Sequence, residues 1–226
     1  MTAPAPSASF CDLDGAEGLD GTVVVVDVLR AFTTAAWALH LGASEITLVA
    51  ELDEALALKA ADDRILAFCD GRPKPGFDLH NSPVQIRSLD VSGRHVVQRT
   101  TNGTQGAVAA RHADLLLCAS LVVASATARR IREAAPSHVT YVVTGGDEDL
   151  ACAAHIAALV AGQSPPTDTV ERVRRSTTAA ELLAGPARGY TGVDPGDVDA
   201  CVEVDRFDLV LEVHRRDGRL VIDPLR

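Results

Sequence analysis

The sequence predicts an α/β fold: a largely parallel, mixed β-sheet covered by helices on both sides, with an antiparallel hairpin at the C-terminal end. Three observations predict it. Apolar, β-branched runs alternate with helical patterns along most of the chain, the signature of a parallel sheet. The first of these runs, "TVVVVDVL" (22–29), has no polar alternation, as expected of a strand buried on both faces. Near the C-terminus, "FDLVLEV" and "RLVID" flank an Asp217-Gly218 turn, a hairpin signal that adds an antiparallel edge to the sheet.

Each element has its own local cause. Residues 1–9, rich in Pro, Ala and Ser, read as a flexible tail. After the first strand, "TTAAWALHLGA" (33–43) is a helix ending near Gly42. "EITLVA" (45–50) is a strand, "DEALALKAAD" (53–62) a helix with acids in its first turn, and "RILAFC" (64–69) a strand. A long irregular stretch follows, rich in Gly, Pro, Asp and Asn. "RHVVQRT" (94–100) is a strand and "GTQGAVAARH" (103–112) a helix. "ADLLLCAS" (113–120) and "VTYVVTG" (139–145) are strands around a helix over about 122–135. "EDLACAAHIAALVAG" (148–162) is a helix apolar nearly all round, which predicts deep burial or a subunit interface, with burial favoured and a homodimer as the expected assembly. Residues 168–184 read as one further helix.

Bulk properties narrow the function. The chain has 226 residues, 47% hydrophobic, so it can bury a sizeable core; with 4% aromatic residues that core is mostly Ala, Val and Leu. The net charge of −10 argues against nucleic acid or an anionic membrane as the main partner. A small anionic substrate needs only locally placed cations. Five scattered cysteines without a C-x-x-C pair argue against a disulfide framework or a zinc knuckle. No signal-like or membrane-length apolar segment is visible, and a cytoplasmic protein with reduced thiols is expected.

In open α/β sheets, ligands bind beyond the carboxyl ends of the strands, and here those ends carry unusual polar groups. The first strand leads to Asp27, Arg30, Thr33 and Thr34. A carboxylate at the end of an apolar run is costly unless it is paired or metal-bound, while a helix start favours an anion. The bland alternative pairs Asp27 with Arg30 and uses a threonine as a cap. The third strand leads to "CDGRPKPGFDLHNSP", where Arg72 suits a phosphate or sulfonate, and Asp78, Asn81 and Ser82 suit a metal or substrate shell; the alternative is an ordinary surface loop. The fourth leads to Thr101, Asn102, Gly103 and Thr104, with an Asn102-capped turn as the alternative. A later strand leads to Glu148 and Asp149, where neighbouring carboxylates invite a cation between them. Four such signals at successive strand ends would meet on one rim. Carboxylates for a hard cation such as Mg²⁺, next to arginines for a doubly charged anion, suit phosphoryl chemistry.

Other chemistries lack their spacings. No cysteine is followed six residues later by arginine. Leu29 occupies the position where aspartyl-phosphate enzymes usually carry a second Asp. There is no G-x-x-x-x-G-K-[ST], G-x-S-x-G or H-E-x-x-H.

Together, "VVVVDVLRAFTTAAWAL", "GFDLHNSP", "TTNGTQ" and "EDLACAA" resemble, in order, the signature segments of the 2-phosphosulfolactate phosphatase family. The resemblance runs from about residue 20 to about 215. It implies a three-layer α/β/α fold, with residues 10–226 as one phosphatase-like domain or two sub-domains sharing a site. It implies a Mg²⁺-dependent hydrolase that converts (2R)-2-phospho-3-sulfolactate to 3-sulfolactate and phosphate, a coenzyme M biosynthesis step in archaea that make that cofactor. Carried onto matching positions, it implicates Asp27, Arg30, Asp78, Asn81, Asn102, Glu148 and Asp149. Asp27, Arg30, Asn102 and Asp78 are the expected catalytic residues. Thr33, Thr34, Arg72, Asn81, Ser82, Thr101, Gly103 and Thr104 are expected at the substrate. Asp27, Asp78, Glu148 and Asp149 are the expected metal carboxylates. Phe32 and His80 depart from the family's small residue or threonine and its glycine. The remaining alternatives are a phosphatase of another phosphorylated hydroxy acid and a non-catalytic anion-binding relative.

Overall fold

The valines at 23–26 are all fully buried, and they divide between two cores: Val23 and Val25 point into one, Val24 and Val26 into the other. Such a strand must be covered on both faces, and it is. In the computed structural model, which describes residues 5–224, this strand is β2 (Thr22–Val26) of a nine-stranded sheet. The others are β1 (Ser7–Cys11), β3 (Glu45–Leu48), β4 (Ile65–Cys69), β5 (His95–Arg99), β6 (Leu115–Ala119), β7 (His138–Val143), β8 (Leu211–Arg216) and β9 (Arg219–Ile222). The helices are α1 (Ala31–His40), α2 (Leu52–Ala61), α3 (Gly103–Ala109), α4 (Ala124–Ala134), α5 (Asp147–Val160), α6 (Thr169–Arg175), α7 (Thr177–Ala184) and α8 (Asp197–Cys201). Side chains of α1 and α3 fill the core on one face of β2; those of α4 and α5 fill the core on the other.

The strand order is β1-β7-β2-β6-β8-β9-β3-β5-β4. Pairings within β1-β7-β2-β6 and within β3-β5-β4 are parallel. The C-terminal hairpin is antiparallel to both arrays, through β6–β8 and β3–β9. The hairpin therefore does not form the antiparallel edge expected from its sequence. It sits in the middle of the sheet and splices two parallel arrays. Its turn residues Asp217 and Gly218 have φ of 52° and 77°, the left-handed pair a two-residue hairpin turn requires. Leu220 and Ile222 are buried there, which explains their apolar character so close to a chain terminus.

Two further expectations are corrected. The flexible tail does not extend to residue 9: Ser7–Cys11 forms an edge strand parallel to β7. Ser7 and Ser9 bond the two ring nitrogens of His138 at 2.8 Å each, and Phe10 stacks on Tyr141 at 5.3 Å. Residues 1–4 of that expected tail lie outside the described residues. The single helix expected over 168–184 is two. Ser176 interrupts it with extended backbone and caps α7, its Oγ accepting the Ala179 N–H at 3.1 Å. The apolar α5 is buried, with Cys152, Ala153 and Ile156 inaccessible. All five cysteines are free thiols. No helix among the described residues is long and apolar enough to cross a membrane.

Strand polarity decides where the site forms. Because the hairpin is antiparallel to both, the two arrays run in opposite directions. In a flat sheet their carboxyl ends would lie on opposite edges. Neighbouring strands rotate by about 20–25°, so the five steps from β2 to β5 accumulate roughly 100–125°. A rotation of that size is what would bring the β5 end back toward β2. The helix leaving β5, α3, then packs on both β2 and β3. The polar strand ends thus meet across a twisted sheet rather than along one rim.

Candidate active site

Asp27 follows β2 and turns the chain into α1. Its Oδ1 accepts the Ala31 N–H at 2.9 Å, the first of that helix. The N–H of Gly103, at the start of α3, favours the charged form of the same carboxylate. A Cβ on Gly103 would lie 2.7 Å from Asp27 Oδ2 and 2.8 Å from the Ala31 Cβ. Glycine is needed there so that two helix starts can close on one carboxylate. The anion that Gly103 approaches is the protein's own.

Behind Asp27 stand two more acids from the start of α5. Asp149 Oδ1 accepts the Val28 N–H at 2.7 Å, and its Oδ2 is 3.2 Å from the Thr144 hydroxyl. Glu148 Oε1 accepts the Gly146 N–H at 3.3 Å, while its Oε2 is buried with no partner. Burial pushes Asp27 up to about 6, partly offset by the Ala31 N–H, with repulsion from Asp70 and Glu148 adding to the rise. Burial, then repulsion from Asp27 and Glu148, holds Asp149 well above the usual carboxylate range.

Arg30 does not pair with Asp27. Its Nη1 meets Asp197 Oδ2 at 2.6 Å and donates to the Gly192 carbonyl at 2.9 Å, and both side chains are buried. Asp197 lies at the start of α8 and also accepts from Ser82 Oγ at 2.6 Å and from the Asp194 and Val84 N–H groups at 2.9 and 3.2 Å. Ser82 thus serves Asp197.

Asp27, Arg30, Asn81 and Asn102 line one small cavity of about 170 Å³, with Asp70, Thr100 and Tyr190. Asn81 sits at φ 46°. Its Oδ1 accepts from Gln98 Nε2 at 2.8 Å, and the same amide donates to the Ala31 carbonyl at 2.9 Å. This fixes Asn81 with its carbonyl pointing inward to Gln98. Asn102 precedes α3 without capping it through its side chain. The cap is a reciprocal pair instead: Thr104 Oγ1 accepts the Thr100 N–H at 2.8 Å and Thr100 Oγ1 accepts the Thr104 N–H at 2.9 Å. The turn and the cavity therefore use different residues of the same segment.

Other expected residues lie elsewhere or act indirectly. Asp78 is at the base of the β4 loop, where Oδ1 meets Lys59 at 2.7 Å and Oδ2 accepts the Ala67 N–H at 2.8 Å; it does not line the cavity. Thr33 donates to the Val28 carbonyl at 3.0 Å. Thr34 is buried with an unpartnered hydroxyl. Thr101 holds Asp70 through its N–H and through its hydroxyl at 3.0 Å. Arg72 lines a neighbouring cavity. Asp70, Thr100, Tyr190 and Asp197 were absent from the expected set. Asp70 carried a signal, being the first acid after a buried strand; Tyr190 and Asp197 carried none.

Among the described residues, no three His, Cys, Asp or Glu side chains are grouped to hold a metal ion by themselves. The orphaned Glu148 Oε2 and the mutual repulsion of Asp27, Glu148 and Asp149 nevertheless leave excess negative charge at the cavity. That donor set fits a cation held by one or two carboxylates, with water and phosphate oxygens completing its shell, the usual arrangement for Mg²⁺.

An α/β chain with carboxylates, an arginine and two amides converging on a phosphate-sized cavity falls in a class known from sequence comparison. The family model described as 2-phosphosulpholactate phosphatase matches residues 11–216. Three relatives carry the name probable 2-phosphosulfolactate phosphatase. That of Thermus thermophilus is 37% identical over 88% of this chain and 91% of its own. That of Carboxydothermus hydrogenoformans is 35% identical over 92% of each. That of Bacillus subtilis is 33% identical over 87% of this chain and 88% of its own. The chain belongs to the 2-phosphosulfolactate phosphatase family.

Proposed function

We propose that this protein is a Mg²⁺-dependent phosphatase that hydrolyses 2-phosphosulfolactate to 3-sulfolactate and phosphate. Family membership supports the substrate and the reaction class. The observation that carries the mechanism is the Asp27 carboxylate, fixed by the Ala31 N–H and closed in by Gly103 at the wall of a cavity that Arg30, Asn81 and Asn102 also line.

The phosphate occupies that cavity. Arg30, held rigid by Asp197, and the Asn102 amide bind its oxygens. Asp27 and Glu148, whose Oε2 has no partner, would hold Mg²⁺, which when bound supplies positive charge to the phosphate oxygens. Water adds to phosphorus as the bond to the substrate's C2 oxygen breaks, and the proton that the water gives up ends on that oxygen, which leaves as the hydroxyl of 3-sulfolactate. Asp27 Oδ1 already accepts the Ala31 N–H, which fixes the carboxylate and makes it a good orienting group. Asp27 therefore positions the attacking water.

The test is phosphate release from 2-phosphosulfolactate, phospholactate and phosphoglycerate, with and without Mg²⁺. Turnover highest on the sulfonate and lost in a chelator is expected; equal rates in chelator would overturn the metal. Hydrolysis of a chiral ¹⁶O,¹⁷O-phosphorothioate ester in H₂¹⁸O tests the nucleophile: inversion at phosphorus is expected for direct attack by water, and retention would mean a phospho-enzyme intermediate on Asp27.

A further inference from the structure

A second, larger cavity of about 510 Å³ adjoins the first. The two share Gly71 and Tyr190, so one ligand can reach into both. Their charges differ in sign. The inner cavity carries the Asp27 and Asp70 carboxylates, and its Arg30 is already matched by Asp197 at 2.6 Å. The outer cavity is lined by Arg72, from the loop after β4, and Arg188, from the turn after α7, against one acid, Glu181. Among the described residues neither Arg72 nor Arg188 takes part in an ion pair.

The two arginines come from distant parts of the chain but are held in register. A Cβ on Gly192 would lie 2.5 Å from the Tyr190 ring and 3.0 Å from the Gly71 carbonyl. The segment that carries Arg188 therefore packs directly on the loop that carries Arg72. Nothing in the fold requires charge there, since both side chains are exposed.

We propose that Arg188, together with Arg72, forms a subsite for the second acidic group of the substrate, which makes Arg188 a specificity-determining residue. This rests on the phosphatase reading above. The phosphate goes inward, where net negative charge admits it only with a cation. The sulfonate or carboxylate goes outward to two unpaired guanidiniums, whose planar forks match such an oxyanion. Simple phosphate esters fill only the inner cavity.

The experiment compares wild type, R188Q and R188K on 2-phosphosulfolactate and on p-nitrophenyl phosphate, which lacks a second acid. R188Q is expected to lower kcat/KM on phosphosulfolactate roughly 10- to 100-fold, almost all of it in KM, and to leave p-nitrophenyl phosphate unchanged. R188K is expected to recover part of the loss. Equal losses on both esters, or none on either, overturn the subsite. Wild-type turnover is measured first and judges the phosphatase reading alone. If another phosphorylated acid is the better substrate, it replaces phosphosulfolactate in the comparison. If no ester is hydrolysed, that reading falls, and the subsite is judged by calorimetric binding of 3-sulfolactate, which R188Q should weaken by the same factor.

Discussion

Gly103→Ala tests the geometry of the site most directly. In a helix, replacing glycine by alanine ordinarily stabilises by about 1 kcal/mol. Here the new Cβ would lie 2.7 Å from Asp27 Oδ2, 2.8 Å from the Ala31 Cβ and 3.1 Å from the Asp27 Cβ. Relieving these contacts requires α3 or the Asp27 turn to move by roughly 0.5–1 Å. Overpacking of this kind costs about 1–3 kcal/mol, so the net loss is roughly 0–2 kcal/mol. The effect on turnover is larger, because a displacement near 1 Å at a reacting centre costs about 100-fold. Gly106→Ala is the control. Its Cβ would meet Val25 Cγ1 at 2.8 Å and Thr144 Cγ2 at 2.9 Å, with no Asp27 atom among its nearest neighbours. Urea unfolding and phosphate-release kinetics on both variants separate the effects. A Gly103→Ala enzyme that keeps wild-type kcat, or a Gly106→Ala enzyme that loses as much, would refute the claim that glycine at 103 sets the position of Asp27.

Three further outcomes follow from named contacts. Asn102→Ala should lower kcat by at least about tenfold, as expected for one lost oxyanion donor, with an unfolding midpoint near that of wild type; a large loss of stability at normal specific activity would return Asn102 to a turn role. Asp197→Ala leaves the buried Arg30 without its 2.6 Å partner and should cost about 3–5 kcal/mol in chemical denaturation; a loss under about 1 kcal/mol would mean that water reaches Arg30. Asp27→Asn has a pH signature in metal-free protein. Asp27 is pushed up to about 6 from an ordinary 3.8, so the folded state binds its proton more tightly than the unfolded state does. Stability from this group is fully present below 3.8 and is lost as pH rises through 6, about 3 kcal/mol in all. The stability of Asp27→Asn relative to wild type should therefore climb by about that amount from pH 4 to 7 in EDTA. A difference that does not vary with pH would contradict the burial of that charge.

The strands and most helices were legible because their cause is local. A buried strand such as "TVVVV" shows itself in composition, and Asp217-Gly218 shows itself in turn chemistry. The place of the hairpin was not legible, because its neighbours are chosen by the apolar faces of β6 and β3, far away in sequence. The same division holds at the site. Asp27, Arg30, Asn81 and Asn102 stand out as polar groups where apolar runs end, and they meet at one cavity. Asp78 has the same local appearance, yet Lys59 and the Ala67 N–H claim both its oxygens. Asp197 is invisible in sequence, because its importance lies wholly in the distant Arg30 and Ser82 it holds. Gly103 stands out as a glycine at a strand end, but the group it approaches, Asp27, lies far away in sequence.

The central hairpin also bears on how the protein comes into being. Val213 and Ile222, made after every strand of both arrays, are what join β6 to β3. During synthesis the two parallel arrays can each begin to pair, but the continuous sheet cannot close until the hairpin has emerged. The joining contacts span most of the chain, which favours slow closure over rapid local collapse. Asp27 and Asn102 thus reach their final spacing only once the hairpin has docked, and a nascent chain carries all the chemical groups of the site before it holds them in place.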